Sequence, residues 1–150
     1  MNIRAWWVAT LAALAVSGGA MAAEDKRTDG QFSIKLKASP RNQGEIASAS
    51  FAPQGDGTVM LLNVSGVPSG FVRPVRLYTY IYHGSCDQLA ASPAYDLNEV
   101  VAPSRRSGAP FTMNKSVPLP LAELRSGGYA VVVQASPVEG KIDLFCGDIR

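Results

Sequence analysis

The chain has 150 residues, 47% of them hydrophobic, and its 14 lysines and arginines nearly balance its 12 aspartates and glutamates. A formal net charge of +2, without a large basic cluster, gives no electrostatic reason to expect binding to nucleic acid or to an anionic membrane surface. A chain of this length is typical of one domain with a buried core.

The first 22 residues have the pattern of a secretory signal peptide. An apolar stretch at residues 6–16 is followed by an A-x-A cleavage site at residues 20–22. The stretch is shorter than the roughly 20 residues that a membrane-spanning helix needs. We therefore expect a periplasmic or secreted protein without membrane insertion after signal removal, with a flexible lead-in at residues 23–30 and one domain over residues 31–150.

After the lead-in, apolar and polar residues alternate with period 2, which is typical of β-strands with one buried face. Turns rich in glycine and proline separate these stretches, and Gln-Gly-Asp-Gly at residues 54–57 predicts a hairpin. Seven or eight short strands of this kind indicate an all-β sandwich or flattened barrel. In chain order, the predicted strands are 32–37, 46–51, 58–64, 75–82, a possible short one at 98–101, 111–119, 129–135 and 142–149, with one helical turn at 121–125.

Cys86 and Cys146 are the only cysteines of the chain. Disulfides form and persist in the oxidising compartments to which a signal peptide leads. Neither cysteine belongs to a C-x-x-C motif, which argues against a pair of reactive thiols. We therefore predict one disulfide, which would close a loop of about 60 residues and stabilise the fold by on the order of 4 kcal/mol in the chain-entropy model.

Three short motifs follow one another along the chain: Y-x-Y-x-G-x-C at residues 80–86, G-Y-A-x-x-x-Q at residues 128–134, and F-C-G-D-I at residues 145–149. In this order, and with both cysteines, they resemble the copper/zinc superoxide dismutase family in its small bacterial form, over residues 44–149. The resemblance implies an eight-stranded Greek-key β-barrel with a Cys86–Cys146 disulfide.

The departures from that family concern its metal ligands. Tyr80 and Tyr82 stand where the first motif of the family has two histidines, and Gln134 stands where the later strand has a third. Residues 87–110, which correspond to a histidine-rich zinc loop, contain no histidine, and Asp143 replaces an arginine that guides anions. Because copper redox chemistry needs nitrogen ligands in a defined geometry, the resemblance predicts a scaffold without copper, zinc, another cofactor or dismutase catalysis.

Tyr78, Tyr80 and Tyr82 share one face of the fourth predicted strand, because side chains alternate between the two faces, and Gln134 is expected on a neighbouring strand. One interpretation is that these four residues, together with His83, form a surface for a protein or small-molecule partner, since tyrosine is favoured at such sites. The other is that the loop at residues 87–110 covers the tyrosines, which then only pack beneath it.

His83, the one histidine, is expected in an exposed turn just after the fourth strand. With Asp87 and Met113 it would be one ligand of a weak copper or zinc site, although such a site needs three or four convergent donors. A hydrolase site of Ser85, His83 and Asp87 lacks the nucleophile-elbow motif. The sequence thus predicts a non-catalytic, exported binding or interaction protein, not an enzyme, whose partner is unknown. The alternative is a weak copper- or zinc-binding accessory protein.

Overall fold

The computed structural model describes residues 30–150, so the predicted signal peptide and nearly all of the predicted lead-in lie outside the described residues. Residues 30–150 form nine β-strands, one short α-helix and two 3-10 helices, at Pro40–Asn42 and Pro137–Glu139, which confirms the all-β class. No helix in this part of the chain is long and apolar enough to cross a membrane. The elements are β1 (Phe32–Ala38), β2 (Ala47–Gln54), β3 (Gly57–Val64), β4 (Leu77–Ser85), β5 (Gln88–Leu89), β6 (Tyr95–Asp96), β7 (Phe111–Val117), α1 (Leu121–Ser126), β8 (Tyr129–Ala135) and β9 (Asp143–Ile149).

The strands form one curled, barrel-like antiparallel sheet. Their order is β5-β4-β8-β9-β1-β2-β3-β7, and β6 pairs with β4. The neighbour of β3 in the sheet is therefore β7 and not β4. The chain leaves the first half of the sheet after β3, builds β4 to β6 at the far edge, and then returns to β3.

The β2–β3 hairpin shows how the sequence determines the register. Gln54 pairs with Gly57, and Gly55 takes a positive φ of 57° in the turn between them, which only glycine adopts without cost. This register places Phe51 opposite Met60, and both side chains are fully buried. The side chains on the inner face of the sheet form one continuous hydrophobic core.

Most predicted strand ends differ from the observed ones by one to three residues, and two differences concern the candidate site. The fourth strand runs to Ser85 instead of residue 82, so His83 lies within β4 and not in a turn after it. Residues 98–101 do not form a strand. The side-chain Oδ1 of Asn98 accepts the Thr79 N–H at 2.7 Å, in place of a backbone ladder.

The predicted disulfide between Cys86 and Cys146 is confirmed, with the two Cα atoms 5.8 Å apart. It joins the residue after β4 to β9, although β8 lies between these strands in the sheet. The N–H of Cys86 also donates to Asp148 Oδ1 at 2.7 Å, and this hydrogen bond fixes the same corner.

A strap of residues 97–104 follows β6 and runs along the free edge of β4. The N–H of Leu97 donates to the Thr79 carbonyl at 3.0 Å, and the N–H of Leu77 donates to the Val101 carbonyl at 2.8 Å. These bonds extend the sheet beyond β4 although the strap has no regular strand structure.

The other side of the strap contacts β7. Ser104 and Thr112 exchange both backbone hydrogen bonds, each 2.9 Å long. The strap therefore links the two edges of the curled sheet, and we call the line between the strap and β7 the seam.

Candidate ligand-binding face

The tyrosine face comprises Tyr78, Tyr80, Tyr82 and Gln134. The three tyrosines lie on the outer face of β4 and are half-buried, while Gln134 lies directly opposite Tyr78 in β8. This is the arrangement that the alternation predicted. The alternating residues of β4 are fully buried in the core: Leu77, Thr79 and Ile81.

The segment after Cys86 covers the tyrosines only in part. β6 pairs with β4 through the backbone of Tyr80 and Ile81, beside the strand and not over it. Each of the three tyrosines keeps part of its surface exposed. The face is therefore neither a fully open patch nor a buried layer beneath the loop.

Small apolar residues of β8 form the floor of the face. Val132 lies opposite Tyr80, and Ala130 lies opposite Tyr82, and both are fully buried. On its other side Val132 pairs with Cys146, so the disulfide borders this floor. The rings of Tyr80 and Tyr82 meet edge to face with their centroids 6.4 Å apart. The arrangement offers aromatic surface above a dry floor.

Both of these phenols are neutral at physiological pH. Burial raises the pKa of Tyr80 above its ordinary value of 10, and the carboxylate of Asp96 raises it further. Burial also raises the pKa of Tyr82, to which the Asp143 carboxylate adds. A neutral phenol both donates and accepts hydrogen bonds, so the face presents two such groups.

A polar pair borders the face at the end of β8. Gln134 Nε2 donates to Asp143 Oδ1 at 2.8 Å, next to a register irregularity between Val133 and Gln134. Tyr78 is the partner of Gln134 on the other side. An amide, a carboxylate and a phenol are therefore neighbours at this end.

His83, predicted as part of the partner surface, lies apart from the tyrosine face. It is on the same side of β4 as the buried Ile81, opposite to the tyrosines, and is exposed near the end of the strand. Its ring stacks on Tyr129 with the centroids 4.7 Å apart, and Tyr129 in turn lies 6.2 Å from Tyr95. The histidine thus belongs to an aromatic stack at one end of the curled sheet.

The other two residues considered as metal ligands are also dispersed. Met113 is a core residue of β7, only 5% exposed. Asp87 lines a surface depression beside the disulfide, together with Lys37 and Asp148. Within residues 30–150, no three side chains of His, Cys, Asp or Glu are grouped so that they could hold a metal ion.

Lys115 is a notable residue that the sequence reasoning missed. It is 3% exposed, and its Nζ donates to the carbonyl oxygens of Leu97, at 3.0 Å, and of Val100. Burial lowers the pKa of Lys115 to about 8, against the opposite effect of the Asp96 carboxylate. The signal was present in the sequence, because Lys115 occupies an apolar position in the alternation of β7.

A cleft of about 460 Å³ lies along the seam above Lys115. One wall is formed by Asp96 and residues of the strap, and the other by β7. We call it the seam cleft.

No protein-family model, no curated protein and no solved structure matches the chain.

Proposed function

We propose that this chain is a non-catalytic binding protein that presents the tyrosine face to a protein or small-molecule partner. The observation behind the proposal is that Tyr78, Tyr80 and Tyr82 lie side by side on the outer face of β4 with part of their surface exposed. Tyrosine supplies a large rigid contact area and a hydrogen-bonding group at low cost in side-chain entropy.

The chemistry of the face favours a partner with an aromatic or apolar group and hydrogen-bonding groups beside it. The apolar group would contact the rings of Tyr80 and Tyr82. The phenols and the Gln134–Asp143 pair would bind the polar groups. Because Asp143 is an exposed carboxylate, an anionic ligand such as superoxide is disfavoured at this end.

The proposal includes a Greek-key scaffold of the superoxide dismutase type. The strand order supports it, since β3 is followed in the sheet by β7, as the long return connections of a Greek key require. The pairing of Cys86 with Cys146 also agrees with what the resemblance implies. On this scaffold Tyr80, Tyr82 and Gln134 replace metal-binding histidines.

We also propose that the protein is exported to the periplasm or secreted. The disulfide is compatible with an oxidising location outside the cytoplasm. The signal-peptide pattern of residues 1–22 is the second reason.

Site-specific photo-crosslinking tests the binding role. A photoreactive phenylalanine analogue is placed at position 80 or 82 of the full chain, expressed in its native cell, and at the exposed position Ile46, which precedes β2, as a control. We expect a discrete cross-linked product from positions 80 and 82 that is absent from position 46. Comparison of partner binding by Tyr80→Ser and Tyr80→Phe then separates the effect of losing the aromatic ring from that of losing the hydroxyl.

Two results would contradict the proposal. Copper-dependent superoxide dismutation by the purified oxidised protein would show that it is an enzyme. In native mass spectrometry after addition of copper or zinc, a stoichiometric adduct that His83→Ala abolishes would favour the metal-binding alternative.

A further inference from the structure

The backbone of β7 has groups that point away from β3. Thr112 uses both its N–H and its C=O for Ser104 of the strap. In an antiparallel ladder the hydrogen-bonding direction alternates from residue to residue. Since the backbone N–H and C=O of Thr112 point away from β3, those of Asn114 and Ser116 point the same way, into the seam cleft.

Among the described residues, the backbone groups of Asn114 and Ser116 have no hydrogen-bond partner on the seam side. Both side chains are exposed. The ladder between the strap and β7 therefore stops after the Ser104–Thr112 bridge, and the edge of β7 is left open beyond it. An open edge of this kind is a template for another strand.

Beside Asn114 and Ser116 the seam is bridged by a side chain and not by a backbone ladder. Lys115 Nζ crosses from β7 and reaches the Leu97 carbonyl at 3.0 Å. The lysine is nearly fully buried, so its side chain forms the floor of the cleft and leaves the backbone edge of β7 accessible.

The accessible wall of the seam cleft is acidic. Asp96 and Glu99 are exposed on the side of the strap, and Lys115 is the only cationic side chain that lines the cleft within residues 30–150. Val100, which also lines the cleft, is 55% exposed. A complementary segment would carry lysine or arginine toward the two carboxylates and an apolar residue toward Val100.

We propose that the seam cleft accepts an extended cationic peptide segment, which pairs as an additional strand with Asn114 and Ser116. This mode of recognition combines main-chain hydrogen bonds with side-chain selectivity. The surface is distinct from the tyrosine face, and the proposal does not depend on the function of that face.

The test uses the oxidised full-length chain and a synthetic peptide, acetyl-Thr-Lys-Val-Lys-Thr-Lys-amide. Its control has glutamate in place of each lysine. Amide chemical shifts and hydrogen exchange are followed by NMR. We expect the cationic peptide to shift the amides of Asn114 and Ser116 in a saturable manner and to slow their exchange, and the acidic peptide to do neither.

Two matched variants separate the backbone contribution from the side-chain contribution. Ser116→Pro removes the outward N–H, a change that edge strands tolerate, whereas Ser116→Ala retains it. We expect binding about tenfold weaker for Ser116→Pro, from the loss of strand hydrogen bonds, and unchanged for Ser116→Ala. Glu99→Lys, at an exposed position, should reduce the preference for the cationic peptide.

Thermal unfolding of each variant establishes that it is folded. Equal binding by Ser116→Pro and Ser116→Ala, or no saturable shift at Asn114 and Ser116 with millimolar cationic peptide, would overturn the proposal. Concentration-dependent broadening at these two amides without peptide would overturn it as well, since the occupant would then be a second copy of the chain.

Discussion

Lys115 donates a 3.0 Å hydrogen bond to the carbonyl oxygen of Leu97, and the two residues lie on opposite sides of the seam. The contact places an ammonium group in a buried position, where desolvation disfavours its charged form and lowers its pKa to about 8. Lys115 thereby links stability to pH at the line where the sheet closes.

The first prediction concerns that linkage. The Lys115 pKa is about 8 in the folded chain and 10.5 as the reference, so the unfolded chain binds more protons between these values. Stability therefore rises as pH increases from about 8 to 10.5, by on the order of 3 kcal/mol. Urea unfolding of the wild type and of Lys115→Met across this range measures it. We expect the free energy of unfolding of the wild type to rise with pH relative to that of the variant. Parallel pH dependences of the two proteins would contradict the prediction.

The second prediction concerns the phenols. Burial raises the pKa of Tyr80, Tyr82 and Tyr129 in the folded chain. Each is protonated in both states below pH 10, and above pH 10 the unfolded chain ionises first, so their contribution to stability is lost as pH rises. Difference absorbance between the wild type and Tyr82→Phe should show a tyrosinate midpoint above 10. A midpoint at 10 or below would refute the shift.

The third prediction concerns the disulfide. Cys86 and Cys146 are 60 residues apart in sequence, so their bond restricts a large part of the unfolded chain. The double variant Cys86→Ser/Cys146→Ser should lose about 2 to 5 kcal/mol of stability. Reduction of the wild type should give a similar loss in urea unfolding, whereas the double variant should not respond to reductant.

The fourth prediction compares two glycines with positive φ. At Gly84, with φ of 101°, an added Cβ would lie 2.2 Å from the Gln88 carbonyl oxygen, whereas at Gly55, with φ of 57°, nothing lies within 4 Å. Gly55→Ala should cost about 1 kcal/mol, from the backbone conformation alone. Gly84→Ala should cost about 2 to 4 kcal/mol, because β5 must also move. Equal losses in thermal unfolding would mean that β5 relaxes freely.

Most of the long strands could be predicted from sequence, because each buries one face and therefore alternates. Alternation placed the tyrosines of β4 on the face opposite to that of its core residues. β8 is buried on both faces and was predicted with its observed bounds, Tyr129–Ala135, because it is a continuous run of strongly β-forming residues. The length of β4 was underestimated because β5 pairs with its last residues, Gly84 and Ser85, and keeps the chain extended.

The strap and the seam could not be predicted in the same way. β5 and β6 have two residues each, too few to show a period. The strap is held by contacts that no local pattern encodes, namely the Asn98 side chain on Thr79 and the Lys115 ammonium on Leu97. Lys115 on the apolar side of β7 was the one visible sign, and its partner lies 18 residues away.

The disulfide also determines how the oxidised chain would respond to mechanical force. When the two ends of the chain are pulled apart, the force is transmitted from Cys86 directly to Cys146 through the covalent bond. β5 to β8 lie between the two cysteines in sequence and are shielded from the load. Extension would unfold β1 to β4 and the end of β9. The rest of the chain could be extended only after reduction of the disulfide.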